Sequence, residues 1–234
     1  YEKTFYPFVL ISKKRYIGDK YETIKDVDTN NYKRTSMGIV MKRRDNAPIV
    51  KYVFGNIIEK LLVDRDYGNA MIWLDKTLKD IKDGVFDRKY FIISKSLNDY
   101  YKNPESIAHK VLADRITQRD PGNKPLANDR IQYMYRKIQE YEQNGYEKVK
   151  KRIQDGFYKN KKPKYKTIIE DGKPKYKKKK IIPGDRIETP IYILENRLDL
   201  DYSHYISNQI MKPVEQVLEL HSNYKEGIFN KYID

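Results

Sequence analysis

The sequence has no cysteine, one tryptophan and three histidines. The lack of cysteine excludes disulfides, thiolate zinc sites and iron–sulfur clusters within the chain, and it permits an intracellular setting. His109, His204 and His221 stand far apart with no companion ligand spacing, which argues against a histidine metal site. No apolar run approaches the roughly 18–20 residues that a membrane-spanning helix needs, and no secretory leader pattern is present. A membrane is therefore not expected among the partners. An initiator methionine is also missing: the chain opens inside an apolar strand pattern, as a fragment of a longer protein would.

What is abundant is positive charge. Among 234 residues, Lys and Arg number 48 against 33 Asp and Glu, a formal net charge of +15. Such a balance points to a polyanionic partner, nucleic acid before an anionic lipid surface. Tyrosine is plentiful, at 22 residues. It offers an apolar face and a hydroxyl that reaches phosphate, although AT-rich coding sequence raises Tyr together with Lys, Ile and Asn. The length suffices for one large domain or two small ones with a real core.

Along the chain, Phe5–Ile11 reads as a buried strand that ends in a compact basic knot, Lys13-Lys14-Arg15-Tyr16. A second knot, Lys42-Arg43-Arg44-Asp45, precedes a helix in which Ile49, Val50, Val53, Phe54, Ile57, Ile58, Leu61 and Leu62 form one apolar stripe. Pro48 suits the first turn of that helix, and Asp45 or Asn46 its cap. Further helices are expected over about 67–82, with Gly84 as the stop, over 104–118, and over 201–220, kinked at Pro213. Short strands are expected at Tyr90–Ile93, Arg130–Ile138 and Ile191–Leu194. Residues 146–186 hold 16 Lys or Arg and 5 Asp or Glu, a local net charge of 16 − 5 = +11. A repeat, Lys162-Pro163-Lys164-Tyr165-Lys166 and Lys173-Pro174-Lys175-Tyr176-Lys177, flanks Asp171-Gly172, a hairpin-turn dipeptide. This segment reads as a basic hairpin or a basic loop. A lipid-binding amphipathic helix is disfavoured there by the missing helical period and by Pro163 and Pro174.

Several of these segments, in collinear order, resemble family B DNA polymerases. Tyr1 to Tyr16 resembles the stretch just after that family's catalytic carboxylates, and Lys13-Lys14-Arg15-Tyr16 matches its KKRY motif. Met37 to Asp45 resembles the KGxxxxRRD motif, with Met37 where Lys is usual. Arg119-Asp120-Pro121-Gly122, Asn128-Asp129-Arg130 and Asp185-Arg186-Ile187-Glu188 resemble thumb motifs of the delta branch, with Asn128 in place of the usual Gly. Pro190–Asn196 followed by Lys212-Pro213 resembles its final strand and helix. The flavour is that of a large-DNA-virus enzyme.

The resemblance implies an α+β fold: a small antiparallel sheet at the end of the palm over residues 1–45, then a mainly helical thumb over 46–234 with a basic hairpin insertion at about 146–186. It implies a C-terminal portion that grips primer–template DNA while the upstream palm, fingers and exonuclease parts carry out Mg2+-dependent nucleotidyl transfer. This portion would bind no cofactor itself. The family's metal-binding aspartates are missing from it, so it should be inactive alone; Glu2 is at most a candidate to support a metal ligand from behind. Lys13, Lys14, Arg15 and Tyr16 would act near the primer terminus, with Lys14 in the minor groove and Tyr16 on a backbone phosphate. Arg43, Arg44, Ser94, Lys95, Arg119, Asn128, Arg130, Lys164, Lys175 and Arg186 are the further DNA-binding candidates. The trio Arg43, Arg44 and Asp45 would split, one arginine toward DNA or the palm interior and the other paired with acid. A processivity factor is a further partner, and the location is the host cytoplasm or nucleus. The bland alternatives are a solvated strand end for the first knot, ion pairs shaping loops for Arg119, Arg130 and Arg186, and a solubilising or nuclear-targeting run for the lysines. A stand-alone nucleic-acid-binding protein with a thumb-like fold is the rival to the polymerase portion.

Overall fold

The computed structural model describes residues 4–138, 166–170, 173–177 and 181–233. The fold is α+β, and the chain divides into two compact units, Tyr1–Lys95 with Asp201–Asp234, and Ser96–Leu200. The boundary expected near residue 45 falls inside the first unit.

The first unit begins with an antiparallel sheet in the order β1 (Thr4–Ser12), β2 (Arg15–Tyr21), β3 (Lys33–Met37). Helix α1 (Ile24–Asp28) joins β2 to β3. Its Thr23 cap is reciprocated by Asp26, so two backbone donors at the helix start are satisfied. The first strand departs from expectation. It lies at the sheet edge and alternates between exposed and half-buried residues instead of being buried, with Tyr6, Phe8 and Leu10 at 60, 44 and 55% exposure. An apolar run alone does not specify a second covering layer, and the sheet buries Ile17 and Tyr21 of β2 in preference.

A 3-10 turn (Val40–Lys42) leads to α2 (Pro48–Leu62) and α3 (Tyr67–Lys82). In α2 the apolar stripe is buried as its period dictates, except for half-buried Leu61. Its cap is Ala47 with no side-chain acceptor; Asn46 donates to the Val40 carbonyl instead. Helix α3 starts at the Asp66 cap and is followed by Gly84 at φ +73°, the left-handed exit that glycine provides freely. A 3-10 turn (Arg88–Phe91) occupies much of the stretch expected as a strand, and β4 runs from Ile93 to Ser96. The unit is completed by α6 (Tyr202–Tyr205), a π turn (Ile206–Met211) and α7 (Lys212–Leu218) in continuous succession. Pro213 sits in the first turn of α7, directly after the π turn, where the i−4 hydrogen-bond ladder is already interrupted. Buried Ile206, Ile210, Val214, Val217 and Leu218 of this succession and Ile49, Val50, Val53, Phe54, Ile57 and Ile58 of α2 belong to the same core. Tyr205 is fully buried with its hydroxyl donating to the Phe91 carbonyl at 2.6 Å.

The second unit contains α4 (Ala108–Arg119), preceded by a 3-10 turn at Pro104–Ser106. Next come β5 (Arg130–Tyr135) and the hairpin β6 (Lys166–Glu170) with β7 (Lys173–Lys177); β8 (Ile187–Glu188) and α5 (Pro190–Glu195) follow. Strand β8 pairs antiparallel with β5. The basic hairpin forms, with Glu170 opposite Lys173 and Lys166 opposite Lys177. The second repeat copy forms β7 and pairs with Lys166–Glu170, which includes only Lys166 of the first; the rest of the first copy lies outside the described residues. Residues 190–195 are helical where a strand was expected. Thr189 caps the helix by accepting from the Tyr192 amide, and Pro190 stands at the first helical position. A short apolar run carries no period of its own, and this cap and proline decide the outcome.

Candidate nucleic-acid interface

Lys13 and Lys14 form the two-residue turn between β1 and β2, because Ser12 pairs with Arg15. Both lysines are exposed, while Arg15 and Tyr16 are half-buried. Lys14 is held at φ +62°, a conformation that costs an L-residue about 1–2 kcal/mol and that Gly or Asn would ordinarily supply. Tyr16 leans on Phe8 and Phe5, with ring centroids 5.5 and 6.0 Å away. This aromatic cluster anchors the start of β2.

Tyr16 also lies opposite Met37, so the exit of β3 is at the same end of the sheet as the lysine turn. Gly38 follows at φ +64° and lies against the Lys14 peptide: a Cβ there would stand 2.3 Å from the Lys14 carbonyl oxygen. The segment that carries Arg43 and Arg44 thus starts alongside the Lys13–Lys14 turn. Both arginines are exposed, and neither has an ion-pair partner among the described residues. The expected pairing of one of them with acid is not seen; Asp45 is itself exposed.

The one acidic residue in the strands of this sheet, Asp19, is neutralised by Arg34 of β3. Buried Asp19 accepts from Arg34 through both oxygens, at 2.7 and 2.9 Å, and Arg34 also binds Glu59 of α2. The hydrogen bond that Arg34 donates to Asp19 raises the guanidinium pKa above its ordinary value against the opposing effect of burial.

In the second unit, Asn128 sits at φ +69°, where Asn is the best-tolerated substitute for glycine. Its amide donates to the Leu97 carbonyl at 2.8 Å, the Leu97 amide donates to the Asp129 carbonyl at 2.9 Å, and Arg130 donates to the Ser96 hydroxyl at 3.1 Å. Asn128 and Arg130 are therefore brought together beside Ser96. Ser94 and Lys95 of β4 are half-buried in the first unit. Arg186 is exposed, and its carbonyl accepts from the Arg136 amide. Lys164 and Glu2 lie outside the described residues; of Lys175 only the backbone, in β7, is described.

Arg119 is occupied differently from its sequence neighbourhood. It pairs with buried Glu188, at 2.6 and 3.1 Å, not with Asp120, which instead accepts from the Gly122 amide. Its guanidinium also stacks 3.8 Å from the Tyr192 ring centroid. Arg115 joins the same carboxylate at 2.6 Å and donates to the Ile187 and Gly184 carbonyls. Burial pushes the Glu188 carboxyl up, but the hydrogen bonds from Arg119 and Arg115 outweigh it and hold the group below the usual carboxylate range. Burial likewise pulls Arg119 down, and Glu188 more than offsets this. This arginine locks α4 to the β8–α5 corner. Glu188 stood in a sequence motif without a role, and no local pattern announced Arg115; the two meet across 73 positions of sequence.

Among the described residues no group of three His, Cys, Asp or Glu side chains could hold a metal ion, and buried Asp19 and Glu188 are each committed to arginines. No helix among them is long and apolar enough to cross a membrane.

Known proteins share this sequence and fold. The model for DNA polymerase family B matches residues 1–221. A DNA polymerase of Acanthamoeba polyphaga mimivirus is 43% identical over 235 aligned positions, covering 100% of this chain and 11% of that protein. The DNA polymerase delta catalytic subunit of Schizosaccharomyces pombe is 31% identical, covering 94% of this chain and 16% of that protein. The structure of a family B DNA polymerase from the archaeon Pyrobaculum calidifontis superimposes with a TM-score of 0.54 at 15% identity, over 93% of this chain and 22% of that one. The chain thus spans between 11 and 22% of the length of these relatives.

Proposed function

The chain belongs to DNA polymerase family B, and we propose that it is the portion of such an enzyme that grips the primer–template duplex. The observation that carries this reading is the exposed Lys13–Lys14 turn, with Lys14 in a left-handed conformation and the Arg43–Arg44 segment starting beside it at one end of the sheet. A strained conformation at an exposed cation persists only where its surroundings over-determine it, and such strain gathers at functional sites.

The chemistry suits a partner held without regard to sequence. Every base pair presents purine N3 or pyrimidine O2 acceptors in the minor groove, so a Lys14 ammonium there finds a partner on any correct pair. A mismatch displaces those acceptors and loses the bond. Arg43, Arg44 and the hairpin lysines add phosphate contacts whose strength comes from counterion release. Asn128 and Arg130 beside Ser96 supply a second set of backbone-directed donors. Nucleotidyl transfer itself, with Mg2+, is assigned to polypeptide beyond these residues, since the carboxylates described here do not fit a metal pair.

The test is Lys14→Ala in the polymerase that carries this chain. Duplex affinity and primer extension are expected to fall alike for unrelated sequences; unchanged values overturn the groove role. Incorporation of labelled nucleotide by the isolated 234-residue chain would overturn the assignment of catalysis to other parts.

A further inference from the structure

We infer that Arg15 is not itself a duplex contact but one half of a clamp, with Gln216 and the Gly38 carbonyl, that positions the Lys13–Lys14 turn; the inference rests on the duplex-gripping reading above. The Arg15 guanidinium donates to Gln216 Oε1 at 2.6 Å, across 201 positions of sequence. Its Nε points to the Gly38 carbonyl at 3.4 Å. One planar side chain therefore ties the β1–β2 turn to the exit of β3 and to α7.

Each anchor is rigid for its own reason. Gln216 lies on α7 directly before buried Val217 and Leu218 and two residues after buried Val214, so its backbone is fixed by the core. Gly38 packs against the turn more closely than any residue with a side chain could: a Cβ at its position would stand 2.3 Å from Lys14 O and 3.0 Å from Arg15 Cγ. The turn is thus braced from beneath by glycine and from the side by the arginine. This bracing accounts for a lysine holding a left-handed conformation that its own side chain does nothing to favour. It also accounts for the half-burial of Arg15 beside two exposed lysines.

The geometry assigns separate tasks within one tetrapeptide. Lys13 and Lys14 face solvent and are available to a polyanion. Arg15 faces the protein, and Tyr16 packs on Phe5 and Phe8 with them as its base. Gln216 is a positioning residue: it touches Arg15 and acts on DNA only through the turn. Lysine at position 15 would retain the charge but has a single terminal nitrogen, and so lacks the rigid spacing with which Arg15 meets Gly38 O through Nε and Gln216 Oε1 through Nη2.

The experiment uses the polymerase that carries this chain, in the variants Gln216→Ala, Gln216→Glu, Arg15→Lys, Lys14→Ala and the Gln216→Ala/Lys14→Ala pair. Amide hydrogen exchange over residues 12–17 reports the turn. Binding of a primer–template duplex of two unrelated sequences, at one fixed salt, reports the grip. Gln216→Ala is expected to speed exchange at the turn and to weaken duplex binding by no more than Lys14→Ala does, so by less than the roughly 10–150-fold of one charge-assisted hydrogen bond to DNA. Gln216→Glu, which keeps the acceptor, restores both. Arg15→Lys behaves as Gln216→Ala despite its unchanged charge, and the paired variant loses less binding than the sum of the two single losses. Unchanged exchange in Gln216→Ala overturns the clamp. Additive losses in the paired variant, or an Arg15→Lys protein that binds like the parent, overturn the positioning role and return Arg15 to the phosphate contacts. If Gln216→Ala loosens the turn while Lys14→Ala leaves binding intact, the clamp stands and the duplex-gripping reading falls.

Discussion

Replacing Lys14 by glycine separates the conformational cost of the turn from its electrostatic use. Lys14 is held at φ +62°, which costs an L-residue about 1–2 kcal/mol. Glycine reaches the same region without that penalty but loses about 0.5–1 kcal/mol more chain entropy on folding. Lys14→Gly should therefore leave the β1–β2 hairpin between unchanged and about 1.5 kcal/mol more stable. Lys14→Ala keeps the left-handed penalty and should be less stable than the glycine variant by roughly the same margin. Both substitutions remove one exposed ammonium. If that ammonium makes a charge-assisted hydrogen bond to the duplex, each variant loses about 1.5–3 kcal/mol of binding, or about 10–150-fold in Kd. Hydrogen-exchange opening free energies for β1 and β2, measured beside duplex titrations on the same preparations, give the two quantities independently. The expected signature is a glycine variant that holds its hairpin as well as the parent and binds DNA as poorly as the alanine variant. A glycine variant less stable than alanine refutes the reading of the turn. Full-strength binding by both refutes the reading of the cation.

Gly38→Ala should lower hairpin stability by at least about 1–2 kcal/mol from its φ of +64° alone. It should also weaken duplex binding at unchanged net charge, because the added methyl would displace the Lys14 carbonyl; hydrogen exchange and titration check the two effects. Glu188→Gln leaves Arg115 and Arg119 without their shared carboxylate and should cost about 3 kcal/mol, the low end for a broken buried pair because Arg119 is 36% exposed. The folded Glu188 carboxyl titrates below its unfolded value, so its contribution is present above about pH 4.5 and is lost as pH falls through the folded value. Exchange-derived stability of α4 should thus decline on acidification more steeply in the parent than in Glu188→Gln, and parallel curves would refute this. Deleting residues 160–180 removes ten lysines and should reduce the slope of log affinity against log salt by about 0.9 for each phosphate that the hairpin neutralises. An unaltered slope would mean the hairpin does not meet DNA.

The elements with a long period were legible from sequence, and those with none were not. Helix α3 runs from Tyr67 to Lys82, as the spacing of Ala70, Leu74, Leu78 and Ile81 and the stop at Gly84 require. Residues 190–195 went the other way because four consecutive apolar or aromatic side chains fit a strand and a helix equally. The deciding signal was the preceding Thr189-Pro190, a cap followed by a first-turn proline. The basic knots were also legible, since charge density needs no tertiary knowledge. What they are fastened to was not. Arg15 reaches Gln216 across 201 positions, Arg119 reaches Glu188 across 69, and Arg34 joins Asp19 to Glu59. In each case the sequence shows a cation, and only the fold shows whether its partner is an internal acceptor or is left to be supplied by a ligand. On this chain that distinction falls inside the Lys13–Tyr16 tetrapeptide, between exposed Lys14 and tethered Arg15. A motif of like charges is therefore not a uniform surface: its arginine is half-buried and bound to Gln216, while its lysines are exposed.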